Sequence, residues 1–162
     1  MNKTRHAAII DVATSGFSPD KSYILEVAAF LVGFETLEIE DAYHGIVLPP
    51  DEAFEKLPEM HLRNGLAEEC IEKGRDVQAI EGELLAGPWG QAMLMVNART
   101  DFDRRFIAKH MPTFAAELPK RWVDLTDVAW LSRRKFEPEI TKSFRAVDDA
   151  LLAHAELKCY FG

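Results

Sequence analysis

Three aspartates occupy positions where carboxylates tend to do chemistry. Asp11 ends an apolar run, residues 6–11 (HAAIID). Asp103 opens a helical stretch just after a second apolar run, residues 91–96 (QAMLMV), and Asp149 falls in the first turns of a helical pattern over 145–160. In open α/β sheets, ligands gather beyond strand ends. Carboxylates brought together there repel one another unless a cation stands between them. The hard ions Mg²⁺ and Mn²⁺ suit such an all-oxygen donor set. Two ions about 4 Å apart would serve phosphodiester hydrolysis. Each aspartate also has an ordinary reading: Asp103 fits a helix cap and Asp149 a solvated helix face. Asp11, closing an apolar strand, is harder to read that way. Spacing alone leaves both readings open.

The elements that must position these residues follow from periodicity and breakers. Residues 6–11 read as a buried central strand, ended by a turn at Gly16, Pro19 and Asp20. Residues 23–34 (YILEVAAFLVGF) and 37–48 (LEIEDAYHGIVL) read as strands joined by a turn at Glu35-Thr36 and closed by Pro49-Pro50. One antiparallel meander of three strands results. A helix-prone region over 51–83 is interrupted by Pro58, Gly65 and Gly74, and 77–85 carries apolar residues at helical spacing. Because a helix precedes residues 91–96, that strand is expected parallel to the first. Helices over 102–110, 127–134 and 145–160 and a short strand over 121–125 complete the chain, with Met111-Pro112 as a stop and Val147, Leu151 and Leu152 on one side of the last helix. The order β-β-β-α-β-α-β-α-α predicts an α/β fold, a mixed central sheet of five strands flanked by helices. One domain over 1–162 is expected.

Charge and cysteine usage narrow the function classes. The net charge is −8, from 27 acidic and 19 basic residues, which argues against general binding to long duplexes by counterion release. It leaves room for a short strand held by a local basic patch. Cys70 and Cys159 are far apart and form no C-x-x-C pair, so zinc and dithiol chemistry are not expected. No apolar run reaches the length of about 20 residues that a membrane helix needs. The start, Met1 to His6, has no apolar signal core. A cytoplasmic protein without membrane contact is the expectation.

Several segments resemble a known family. Residues 10–16 (IDVATSG) resemble the first motif of DEDD-type 3′–5′ exonucleases, D-x-E-x-[TS]-G. Residues 97–106 (NARTDFDRRF) resemble the second, an Asn followed closely by D-R-R-F, and residues 144–149 (FRAVDD) the third, H-x-A-x-D-D. Residues 61–66 (HLRNGL) are similar to the H-x-R-S-G-L stretch of oligoribonucleases, and 122–125 (WVDL) and 135–140 (KFEPEI) to their late segments. The likeness runs nearly the whole chain in the right order. It implies a ribonuclease H-like fold, two Mg²⁺ or Mn²⁺ ions held by Asp11, Asp149 and Asp103, and a homodimer. The implied substrates are short single-stranded RNA or DNA, or a nucleoside monophosphate. Phe17 would stack on a base, Arg99, Arg104 or Arg105 would hold phosphates, and His61 would join the nucleic-acid contacts. A core contact for Phe17 and a solvated face for the arginines are the ordinary alternatives.

The match departs from the family at two positions. Ala13 stands where the family carries a metal-binding Glu, and Phe144 where it carries a general-base His. Loss of a general base costs about 10²–10⁴-fold in rate. Nearby residues are poor substitutes: Asp101 adds a carboxylate two residues before Asp103, His154 lies about 140° round the helix from Asp149, and His110 sits at the far end of its helix. Three functions stay open: an impaired or inactive exonuclease, a non-catalytic nucleic-acid-binding or structural scaffold, and a different metal-dependent phosphoesterase using Asp101.

Overall fold

In the computed structural model, which describes residues 5–138 and 143–162, the apolar runs form a five-stranded mixed sheet in the order β3-β2-β1-β4-β5. Strands β1 (His6–Thr14), β2 (Ile24–Gly33) and β3 (Ile39–Ile46) make the expected antiparallel meander. Strand β4 (Leu94–Asn97) runs parallel to β1, and β5 (Trp122–Asp124) parallel to β4. Met1–Thr4, and Glu139 and Ile140 of the late segment, lie outside the described residues.

The sheet is covered on both faces, which is why β1 and β2 are apolar at successive positions rather than alternating. On one face Ala8, Ile10 and Val12 pack with Ile80 and Leu84 of α4 (Val77–Ala86), Phe106 and Ile107 of α5 (Thr100–His110), and Phe114 of α6 (Pro112–Glu117). On the other, Ala7, Ile9 and Ala13 pack with Leu66 and Cys70 of α3 (Leu66–Lys73) and the apolar face of α8 (Ala146–Phe161). The outer strand β3 is different. Its first six positions are exposed or half-buried and include Glu40 and Asp41, as suits an edge.

Breakers act where expected. Helices α1 (Asp51–Phe54), α2 (Glu59–Arg63), α3 and α4 divide the helix-prone region at Pro58, Gly65 and Gly74. Gly65 takes a left-handed φ of 78° that most side chains resist. None of the described helices is long and apolar enough to cross a membrane.

Several expectations need correction. Strand β1 does not end at Asp11 but runs on to Thr14, with a register shift between Ala13 and Thr14. Val12 and Ala13 extend the buried ladder, and such bulges re-aim side chains near sites. Residues 91–93 are not strand: a 3-10 turn, Trp89–Gln91, delays β4 to Leu94. Pro112 not only stops α5 but starts α6, because proline suits the first helical position. The buried face of α8 is Ala146, Ala150, Ala153, Leu157 and Tyr160, whereas Leu151 is exposed. Small residues let the helix axis lie close to the sheet. Helix α7 (Leu125–Ser132) also begins two residues before expectation, since the Asp124 side chain caps it by accepting from Thr126 N at 2.8 Å.

Helix α8 has no side-chain N-cap of its own. Its start is held from the sheet by Glu26, a fully buried carboxylate in the middle of the apolar strand β2 and directly across from Ala13. Ala146 N donates to Glu26 at 2.7 Å, and Arg145 Nε and Nη2 donate at 3.1 and 2.9 Å. His44 Nε2 lies 2.8 Å from the same carboxylate, and Arg145 also reaches Glu69 at 2.6 Å. Burial pushes the Glu26 carboxyl up, but the bonds from His44, Arg145 and Ala146 outweigh it and hold it below its ordinary value.

Three outcomes follow for stability. Arg145→Met takes the guanidinium from buried Glu26 and leaves it only the His44 and Ala146 bonds, and urea unfolding should show a loss of about 3–5 kcal/mol. The Glu26 contribution is complete above the ordinary carboxylate value of 4.5 and is lost as the pH falls below it. The stability gap between the native chain and Glu26→Gln should therefore close in acid. At Gly74 an added Cβ would collide with the Cys70 carbonyl and come within 2.8 Å of Leu48 Cα. Gly74→Ala should lower the urea midpoint by the equivalent of about 1–3 kcal/mol.

Candidate active site

The three aspartates expected from the sequence converge where β1, α5 and α8 meet. Asp11 projects from mid-strand and is 9% exposed, while Asp103, in the first turn of α5, is 3% exposed. Asn97, the last residue of β4, ties them together. Its Nδ2 lies 3.1 Å from Asp11 Oδ2 and 3.0 Å from Asp103 Oδ2, and it donates to Ile10 O at 2.8 Å. Val12 N donates to the other Asp103 oxygen at 3.2 Å. Burial first, and then the negative charge of Asp11, push the Asp103 carboxyl well above its ordinary value, with a smaller push from Asp149. Asp149 lies one turn into α8, where the helix N-terminus favours an acid.

Beside Asp149 opens a cavity of about 180 Å³. Val12, Ala13, Phe17, Met60, Phe102 and Phe144 give it a mainly apolar wall, with His61, Arg99 and Asp149 as polar members. Ala13 and Phe144, the two positions expected to depart from the family motifs, therefore face one cavity. Phe144 is held at a left-handed φ of 60°, a conformation costly for a bulky side chain. Its neighbours fix it. Asn64 Nδ2 donates to Ser143 O at 2.9 Å, Ser143 Oγ bonds Asp148 at 2.5 Å, and Arg145 is locked to Glu26.

The expected nucleic-acid contacts divide. Phe17 is 84% exposed at the cavity rim. Arg99, also left-handed at φ 59°, lines this cavity and the next depression along Asp149. Arg105 is instead paired with Asp101 at 3.2 Å, and Arg104 lines a separate depression with Lys120 and Trp122. His61 is buried and forms part of the cavity wall. Its Nε2 donates to Thr14 O at 3.0 Å, and burial lowers its pKa, so the ring is neutral near pH 7. His154 is committed to Leu37 O at 2.7 Å and His110 to Pro19 O at 3.1 Å, so neither ring is turned to the cavity beside Asp149.

The implied pair of divalent ions fits these residues poorly. Asp11, Asp103 and Asp149 are hard oxygen donors, but the amide of Asn97 bonds both Asp11 and Asp103, and position 13 offers only a methyl group. Among the described residues no group of three or more His, Cys, Asp or Glu side chains is placed to hold a metal ion. Glu26, Arg145 and the bridging role of Asn97 are not among the residues expected from the sequence. A single charged residue inside a ten-residue apolar strand was the available signal for Glu26.

No family model matches the chain. It is 30% identical over 167 residues to an oligoribonuclease of Streptomyces avermitilis, covering 93% of this chain and 82% of that one. It is 28% identical over 166 residues to the mitochondrial oligoribonuclease of Mus musculus, covering 93% and 70%. Among solved structures, E. coli exonuclease I in a zinc-bound complex with single-stranded DNA aligns with a TM-score of 0.75 at 17% identity. That match covers 96% of this chain but only 40% of exonuclease I. The nuclease domain of 3′hExo, a DEDDh family member bound to rAMP, gives a TM-score of 0.68 at 14% identity, covering 97% and 94%. The mixed sheet, the converging aspartates and the sequence identity agree: the chain belongs to the oligoribonuclease family of DEDDh-type 3′–5′ exonucleases with a ribonuclease H-like fold.

Proposed function

We propose that this protein receives the 3′ end of a short single-stranded RNA or DNA, or a nucleoside monophosphate, in the cavity beside Asp149, and that its hydrolytic step is impaired or lost. The observation that carries this reading is that Ala13 and Phe144 line the same cavity as Asp149. The two positions where the family places a metal-binding Glu and a general-base His thus fall together on one apolar wall. Phe17 offers a face for a base at the rim, and Arg99 a charge for a phosphate. The phenyl ring of Phe144 accepts no proton, so a water in the cavity keeps both of its own. Divalent ions, where the family binds them, supply electrostatic stabilisation of the phosphoryl oxygens. Here Asp11 and Asp149, with Asp103 in support, would have to hold them without a fourth carboxylate.

The poor fit to two ions favours a second reading, a non-catalytic binder or scaffold that keeps the architecture without the chemistry. A homodimer, as the resemblance implies, and a cytoplasmic location belong to the first reading.

A cleavage assay on labelled di- to pentanucleotides with Mn²⁺ tests the proposal. The native chain should bind them but cleave about 10²–10⁴-fold more slowly than Ala13→Glu/Phe144→His, with Asp11→Asn abolishing what remains. Full-rate cleavage by the native chain would overturn the impairment. Absence of binding together with no rescue by the double reversion would leave only the scaffold reading.

A further inference from the structure

The candidate cavity is the first of three connected depressions. It shares Arg99 and Asp149 with a neighbour of about 140 Å³. That neighbour shares Phe136 and Glu156 with a third depression, of about 460 Å³, against α7. We propose that this third depression is a second subsite for single-stranded nucleic acid, taking nucleotides that lie beyond the one held beside Asp149. The proposal rests on the binding reading above and extends it to substrate length.

The chemistry of the far depression differs from the rest of this acidic surface. Trp130, on the last turns of α7, is 83% exposed. Core packing does not account for an indole so placed, and its face is open to stacking. It adjoins Arg133-Arg134-Lys135, three consecutive cations in a chain of net charge −8. Arg133 ends α7 in a left-handed conformation. Both Arg133 and Lys135 are exposed and make no ion pair among the described residues. Arg134 is engaged elsewhere, since its Nη1 donates to Cys159 O and Tyr160 O, both at 3.1 Å, closing the end of α8. Glu137 and Glu156 also line the depression, so among the described residues three cations face two carboxylates and one net positive charge remains. A field that weak does not hold a duplex by phosphates alone. An aromatic face with a modest positive surplus is what a single strand uses, since every base has a stacking face.

Shared lining residues link the depressions from the site to this shoulder, which gives the strand a direction to extend. A dinucleotide has no nucleotide to spare for Trp130, whereas a longer strand does. Affinity should therefore rise with length, and Trp130 should be responsible for the rise.

Fluorescence anisotropy with labelled, non-cleavable phosphorothioate oligonucleotides of two, four and six nucleotides, with and without Mn²⁺, tests this. The hexamer should bind about tenfold more tightly than the dinucleotide. Trp130→Ala should erase that difference without changing dinucleotide affinity. Arg133→Gln/Lys135→Gln should lower the salt dependence for the hexamer only. Equal affinity for all lengths in the native chain would overturn the second subsite while leaving the first reading intact. Unchanged length dependence in Trp130→Ala, with sedimentation showing that a dimer becomes a monomer, would overturn it in favour of an interface between copies. Failure to bind any length would remove both readings.

Discussion

A carboxylate buried in the middle of an apolar strand organises the functional end of this molecule. Glu26 carries its charge through the sheet core because Arg145, His44 and the Ala146 amide supply donors on all sides. Desolvating such a group costs several kcal/mol, and only a complete set of partners offsets it. The partners belong to different parts of the chain: His44 to β3, and Arg145 and Ala146 to the start of α8. One side chain therefore joins the meander to the final helix. Asp149 and Phe144 sit within a turn of that junction, so their placement beside Asp11 depends on it.

The same architecture holds the backbone around the cavity independently of the side chains that line it. The side chains of Ala13 and Phe144 face the cavity, yet neither takes part in the bonds that hold the surrounding backbone. Those bonds come from Ser143, Asn64, Arg145 and Glu26. The Asn64 side chain is the one that reaches Ser143. The bonds that present residue 144 are thus physically separable from the side chain it carries. The Asn97 amide likewise joins Asp11 to Asp103 by hydrogen bonds.

Much of this was legible in the sequence, because the strongest signals are local. The apolar runs gave the five strands and their antiparallel-then-parallel arrangement, and Pro58, Gly65 and Gly74 divide the helical region as their backbone preferences require. The three aspartates were recognisable from strand and helix ends together with family-like spacing. What escaped depends on partners distant in sequence. Nothing near Asp11 signals that Val12, Ala13 and Thr14 continue the ladder, since that depends on pairing with β2. The small face of α8 was hidden because Leu151 and Leu152 outweigh alanines on any hydropathy scale, while close approach to a sheet favours the alanines. Arg145 looks like a surface arginine until Glu26, more than a hundred residues earlier, is placed beneath it.

The two margins of the sheet carry a consequence of another kind. A free strand edge is a template on which a second chain can add, and long flat apolar edges nucleate fibrils. Here β3 presents Glu40 and Asp41 along an otherwise exposed stretch, and β5 is only three residues long. The fully apolar strands β1 and β2, which would aggregate if bared, lie inside these borders. The order of strands thus shields the stickiest sequence of the chain from self-association while it sets Asp11 at the heart of the sheet.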